Sequence, residues 1–341
     1  MSAADLHKQA TIIDGLFNKT YAPIDPDSEI NDMMFDHILA SGVTAFNDSA
    51  IADSFPYDFH GAVHRLYEEH GIIESVSDKA LIVRTADDIH EAKRSGRVGV
   101  ILSTQGLHAM GDDTRNLWAL YKLDLRIGQL TYNERNAIGC GCMEPNDTGL
   151  TRIGQKAVEE LNRLGVVVDL SHGGERTSLD AAKHSRAPVT ISHAGVRALN
   201  PHRRNVSDEL IRAVAGTGGV IGLCPHSIMV EKARGQRPSI DDYIDHIEYV
   251  VGLVGIDHAG IGTDNFQYDN HFAHVGRKKF EKTFPTFFGG YGPTEKHAAG
   301  FSRWRDWPNL TANLLRRGFS EADTSKILGG NFMRVFSQVW K

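Results

Sequence analysis

Two histidines and an aspartate stand at the ends of three apolar runs in the second half of the chain. They occur as DLSH (169–172), ISH (191–193) and GTD (262–264), so the residues are His172, His193 and Asp264. Two neutral imidazole nitrogens brought to one place suit a borderline divalent cation such as zinc. A carboxylate beside them can take a proton from a water that the cation has acidified. One isolated histidine is more often a capping or core group bonded to backbone. Two at consecutive run ends, with a carboxylate ending the last run, point instead to a site. The other polar residues at run ends are Asn18, Asn47, Asp48, Gln105, Tyr132, Asn133 and His226.

These residues need a scaffold that gathers run ends. The runs occupy residues 11–16, 43–49, 98–106, 127–133, 166–172, 188–194, 219–225 and 258–264, each short, rich in β-branched residues and stopped by polar or glycine residues. Helical patterns lie between them, at 28–40, 114–123, 152–164, 177–185, 207–215 and 240–254. In the third of these, Thr151 supplies a cap, Val158, Leu161 and Leu164 an apolar stripe, and Gly165 the stop. Strands alternating with helices predict a parallel sheet, and eight of them predict an α/β fold closed as a single (β/α)8 TIM barrel with a C-terminal helical tail. An open doubly wound sheet fits less well, because IDGLFNK at the first run lacks a glycine-rich phosphate loop. The expectation is one domain over residues 1–341, with 265–307 shaping the barrel mouth and 308–341 forming closing helices. Barrels of this kind place their chemistry at the C-terminal strand ends, where the polar residues above collect.

Composition narrows the function classes. A net charge of −6 with scattered basic residues gives no nucleic-acid footprint. No apolar run approaches the length of a membrane span, and residues 1–10 are too polar for a secretory leader, so no membrane partner and a cytoplasmic location are expected. The three cysteines cannot build a disulfide framework. Cys142 could reach the mouth as a thiolate ligand, although a small half-buried loop thiol is the commoner reading.

The segments GLTRIGQKAVEELNRLGVVVDLSH (149–172), APVTISHAGVRAL (187–199), HRRNVSDEL (202–210) and WPNLTANLLRRGFSEADTSKILGGNFMRVF (307–336) resemble the membrane (renal) dipeptidase family, peptidase M19 type, of the amidohydrolase superfamily. The resemblance runs over nearly the whole chain. It implies a hydrolase of dipeptides, including ones with a D-residue at the C-terminal side, with two zinc ions in the mouth and with room for a homodimer. By position, His172 and His193 match the histidines of the second metal, Asp264 the proton-shuttling aspartate, and Arg204 the arginine that grips the substrate carboxylate. A guanidinium suits that task because it pairs with a carboxylate in two-pronged fashion. The chain departs from the family where the first metal is held. The first-strand HxD is replaced by Leu16 and Asn18, the bridging glutamate by Gln105, and the strand-four histidine that touches substrate by Tyr132. Leucine cannot ligate and a neutral amide rarely bridges two zinc ions, so at most one ion per chain is expected, or none.

Three functions stay open at this level. One is a mononuclear hydrolase for a small-molecule substrate, with His172, His193 and Gln105 around one zinc and Asp264 as base or ligand. Another is a metal-free acid–base enzyme using His172, His193 and Asp264, with Tyr132 as a donor to substrate. The last is a barrel that only binds an amino-acid-like ligand through Arg204. Arg204 could also be an ordinary surface residue of the HRRN turn. Asp14 reads as structural, Asn205 and Asp208 as loop and cap residues, and Ser207 as a helix cap. The histidines at 7, 37, 60, 64, 70, 90, 184, 246 and 297 receive no role.

Overall fold

A computed structural model describes residues 1–17, 29–53, 58–264 and 296–341, apart from the side chains of 29–31. Asn18 and most of the expected mouth loop (265–295) lie outside the described residues.

Among the described residues, nine parallel strands form the sheet: β1 (Ile13–Phe17), β2 (Ala45–Ala52), β3 (Ala80–Ile82), β4 (Val98–Gln105), β5 (Leu125–Gln129), β6 (Val167–Asp169), β7 (Val189–Ala194), β8 (Val220–Leu223) and β9 (Ala259–Ile261). Eight follow the order β1-β2-β4-β5-β6-β7-β8-β9, and these are the eight expected from the sequence. The ninth, β3, is additional. It pairs with β4 at Val98–Val100, on the side that β5 takes over from Leu102 onward. All eight residues of β2 and all eight of β4 are buried, as strands covered on both faces should be.

The barrel closes between β9 and β1 through the segment just past β9. Asp264 N–H donates to Leu16 O (2.9 Å). The Asp14 carboxylate takes the Thr263 N–H (2.8 Å) and hydroxyl (2.5 Å). Burial raises the Asp14 carboxyl to about 7 against these bonds. Asp14 is thus a clasp between strands rather than a reacting group.

Helices cover the outside, and α6 (Arg152–Leu164) shows why they form where they do. Thr151 caps it by accepting the Gly154 N–H, Ala157, Val158, Leu161 and Leu164 face the barrel, and Gly165 ends it with φ 76°. Ser207 likewise caps α8 (Asp208–Gly216). At the chain's end, α13 (Asn331–Val339) closes the floor of the barrel. Phe332, Phe336 and Trp340 pack with Ile13, Ala45, Val167 and Val220, each the first residue of its strand. The opposite end is left for the mouth.

Two glycines let the strands close around the residue before His193. A Cβ on Gly222 would fall 2.0 Å from Ser192 O, and one on Gly262 1.9 Å from it. No larger residue allows that approach.

Candidate active site

The strand ends do gather most of the expected residues. Gln105 ends β4 and His193 is the penultimate residue of β7, while His172 and Asp264 each lie three residues past β6 and β9. Asn47 and Asp48 are corrected: β2 runs on to Ala52, so both sit inside the strand, and Asn47 donates from Nδ2 to Gly15 O (2.8 Å) as a structural tie.

His172 and His193 are buried and face each other, with their Nε2 atoms 2.9 Å apart. The second nitrogen of each ring fixes which tautomer is present. His172 Nδ1 lies 2.8 Å from Asn133 Oδ1, which can only accept, so Nδ1 carries the proton. His193 Nδ1 lies 2.8 Å from Ser192 Oγ, whose own proton goes to Asp169 Oδ2 (2.6 Å). Ser192 therefore accepts from Nδ1–H. Both Nε2 atoms are left as bare lone pairs pointing at one another. Gln105 Nε2, 3.3 Å away, donates to His193 Nε2, which agrees with that assignment.

Two bare imidazole nitrogens repel unless something positive lies between them. Their spacing is close to the roughly 3.3 Å expected of two imidazoles on one tetrahedral zinc. His172, His193 and, with its amide turned over, the Gln105 oxygen fit a single borderline cation. A two-cation centre does not fit. Leu16 is fully buried and carries no donor, and Gln105 is uncharged.

Backbone geometry marks the same residues. Among the described residues, three non-glycine residues have positive φ: Asp124, His172 (62°) and Asp264 (50°). Such conformations cost about 1–3 kcal/mol each and collect at functional sites. Two of the three are the histidine and aspartate singled out from sequence.

The charge pattern is lopsided. Burial drives His193 down to about 3 against the pull of Asp264, and drives His172 lower than its ordinary value with help from Arg204. Both are neutral near pH 7. Burial pushes the half-buried Asp264 up, but His193, Lys296, His226 and Arg204 together outweigh it and hold the carboxyl below its usual range. Asp264 is ionised.

Arg204 is buried, at 2% exposure, which overturns the surface-turn reading. Its Nη2 donates to His193 O (3.1 Å), its Nε has no partner, and no carboxylate among the described residues pairs with it. Tyr132 stacks on the His172 ring at 4.2 Å between centroids and 25° between planes. Cys142 lies behind the site: its N–H donates to His172 O (2.7 Å) and its Sγ to Asn133 Oδ1 (3.6 Å). Burial raises its thiol, so a thiolate ligand role is not supported.

Sequence reasoning missed two neighbours. His297 was set aside as a tail residue, yet it is buried, pairs with His226 in an antiparallel bridge and donates from Nε2 to Thr263 O (2.9 Å). Lys296 precedes it. Neither ends an apolar run, so no periodicity signals them.

Known proteins show which family the chain resembles over its whole length. The family model described as membrane dipeptidase (peptidase family M19) matches residues 5–277 and 267–341. Dipeptidase tcpJ of Claviceps purpurea (strain 20.1) is 30% identical over 270 residues, covering 79% of this chain and 57% of that protein. The chain thus spans little more than half the length of that curated relative. The crystal structure of an amidohydrolase from Pseudomonas aeruginosa is 33% identical, covers 100% of this chain and 99% of that one, and superposes with a TM-score of 0.88. A metallo peptidase from Rhodobacter sphaeroides, solved with a phosphinate mimic of the dipeptide L-Ala-D-Ala, shares the fold at 19% identity and a TM-score of 0.79, over 97% of this chain and 99% of that one.

Proposed function

The chain belongs to the membrane dipeptidase family, peptidase family M19, and from that premise we propose that it is a dipeptidase-like hydrolase of small amides or dipeptides bearing a free carboxylate, with at most one zinc ion, held by His172 and His193. The observation that carries this reading is the pair of bare Nε2 atoms 2.9 Å apart, set beside a buried guanidinium that has no acidic partner among the described residues.

A divalent cation at those nitrogens supplies the acidity that makes water nucleophilic near neutral pH. The chain's own residues do the rest. Arg204 takes the substrate carboxylate, which supplies the counter-charge its burial calls for. The attacking water adds to the carbonyl carbon and Asp264 accepts its proton. As the C–N bond breaks, Asp264 passes that proton to the leaving amine. Tyr132 backs His172 with its ring and offers its hydroxyl to the substrate.

The two other readings explain less. Imidazoles held neutral far below their ordinary range are weak bases, and their Nε2 atoms hold no proton to give. A barrel that only binds has no use for strained backbone at His172 and Asp264.

The test compares kcat/KM for a dipeptide and for the same dipeptide with its C-terminus amidated. Removing one partner of a buried charge pair costs about 2–5 kcal/mol, so the amide should be at least ~30-fold worse, and Arg204→Met should erase the preference. Equal rates for acid and amide would overturn the proposal.

A further inference from the structure

Both histidines of the site lie where the backbone ladder stops holding them. The β6–β7 ladder pairs Val168 with Val189 and Asp169 with Thr190. His172 lies three residues past Asp169, in left-handed backbone at φ 62°. On the other side of β7, the register with β8 shifts between Ile191 and Ala194, the stretch that contains His193. Side chains past the ladder therefore hold the two imidazoles at their separation.

One side chain reaches both. Asp169 ends β6 and is 1% exposed. Its Oδ1 accepts the Ser171 N–H (3.3 Å), the Ser171 hydroxyl (3.1 Å) and the Ser192 N–H (2.7 Å). Its Oδ2 accepts the Ser192 hydroxyl (2.6 Å). The Ser171 hydroxyl in turn accepts the His193 N–H (3.1 Å), so this arm crosses from one strand exit to the other. Each serine immediately precedes a histidine, at 171–172 and 192–193. One carboxylate thus ties two Ser–His dipeptides on neighbouring strands. An ionised carboxylate suits this because it accepts at both oxygens and has no proton to place.

Resting on the single-zinc reading above, we propose that Asp169 is a positioning residue that sets the bite of the site: by anchoring both Ser–His dipeptides it fixes the separation of His172 Nε2 and His193 Nε2, and so selects zinc over a larger divalent cation such as cadmium. The 2.9 Å separation lies at the short end of what two imidazoles on one zinc require. A larger ion has longer bonds to nitrogen and needs the rings further apart. It gains that room only by pulling against the bonds to Asp169. Asp169 itself touches neither the ion nor the substrate.

The experiment measures zinc and cadmium affinities by chelator competition in the native protein, Ser171→Ala and Asp169→Asn. Nitrogen NMR reads the histidine tautomers in the same proteins without metal. Ser171→Ala removes the arm beside His172 and leaves the Ser192–Asp169 bond that sets the His193 tautomer. Its preference for zinc over cadmium should fall by about tenfold with both Nδ1 protons in place. Asp169→Asn can set an amide donor opposite Ser192 Oγ, which turns the serine proton to His193 Nδ1 and moves the ring proton to Nε2. His193 but not His172 should then change tautomer, and zinc affinity should fall by about 10- to 100-fold. A general loosening of the barrel would weaken both ions alike. Equal losses for zinc and cadmium in Ser171→Ala therefore overturn the proposal, as does an unchanged preference. If Asp169→Asn does not fold, Ser171→Ala decides alone. If the native protein binds neither ion, the single-zinc reading fails by itself. The NMR readout still decides whether Asp169 governs the site: a changed His193 tautomer in Asp169→Asn supports the anchor, and an unchanged one contradicts it.

Discussion

His172 Nε2 and His193 Nε2 lie 2.9 Å apart with no proton between them, because Asn133 and the Ser192–Asp169 pair draw both ring protons to the far side. Partners of this kind fix ring orientation and tautomer wherever histidine binds metal. The arrangement is assembled by three strand exits. It gives the site a preference for a cation that no single residue carries.

Removing such a partner should weaken metal binding without unfolding the protein. Ser192→Ala frees His193 Nδ1 to change tautomer, and zinc affinity should fall by about 10- to 100-fold. Chelator competition measures this directly. Unchanged affinity would mean that Ser192 does not set the tautomer.

Asp264→Asn tests the proton shuttle. Asparagine tolerates the left-handed backbone at φ 50° and keeps the side-chain shape, so the fold and the bound zinc should survive. Without a carboxylate to move the proton, kcat should drop by about 10²–10⁴-fold. A variant that retains native kcat removes Asp264 from the reaction.

Acid should destabilise the zinc-free protein well before it reaches the carboxylates' ordinary range. His193 and His297 are held at about 3 and His202 and His246 at about 4, in each case chiefly by burial, and His7, His172 and His226 are also lowered. Unfolded imidazoles titrate near 6.5, so between about 3 and 6.5 the unfolded chain binds more protons and stability falls as pH falls. Asp14, raised to about 7, and Asp53, raised to about 6, act in the opposite sense, as does Asp169. Seven imidazoles against three carboxyls leave the net slope positive. The urea midpoint should therefore be lower at pH 5 than at pH 7, and a flat profile contradicts this.

The barrel was legible because each strand is a short apolar run that must stop where the chain turns to solvent. The polar stops at Gln105, His172, His193 and Asp264 were legible for the same reason. Leu16 could be read as a missing ligand from its type alone. Asn47 and Asp48 misled because polar side chains can also lie inside a strand when a neighbouring strand supplies partners, as Gly15 O does for Asn47. The three-residue strand Ala80–Ile82 is too short to show a period. Lys296 and His297 enter the site through contacts with residues 225–227 and Thr263, and nothing in their local sequence records those contacts.

Metal content per chain bears most directly on the mononuclear site. The native protein and His193→Ala would each be loaded with zinc, dialysed against metal-free buffer and analysed for metal. One ion per native chain and none in His193→Ala, with dipeptide hydrolysis lost in the same variant, is the expected result. Two ions per native chain, or full activity in His193→Ala, would contradict a single zinc held between His172 and His193.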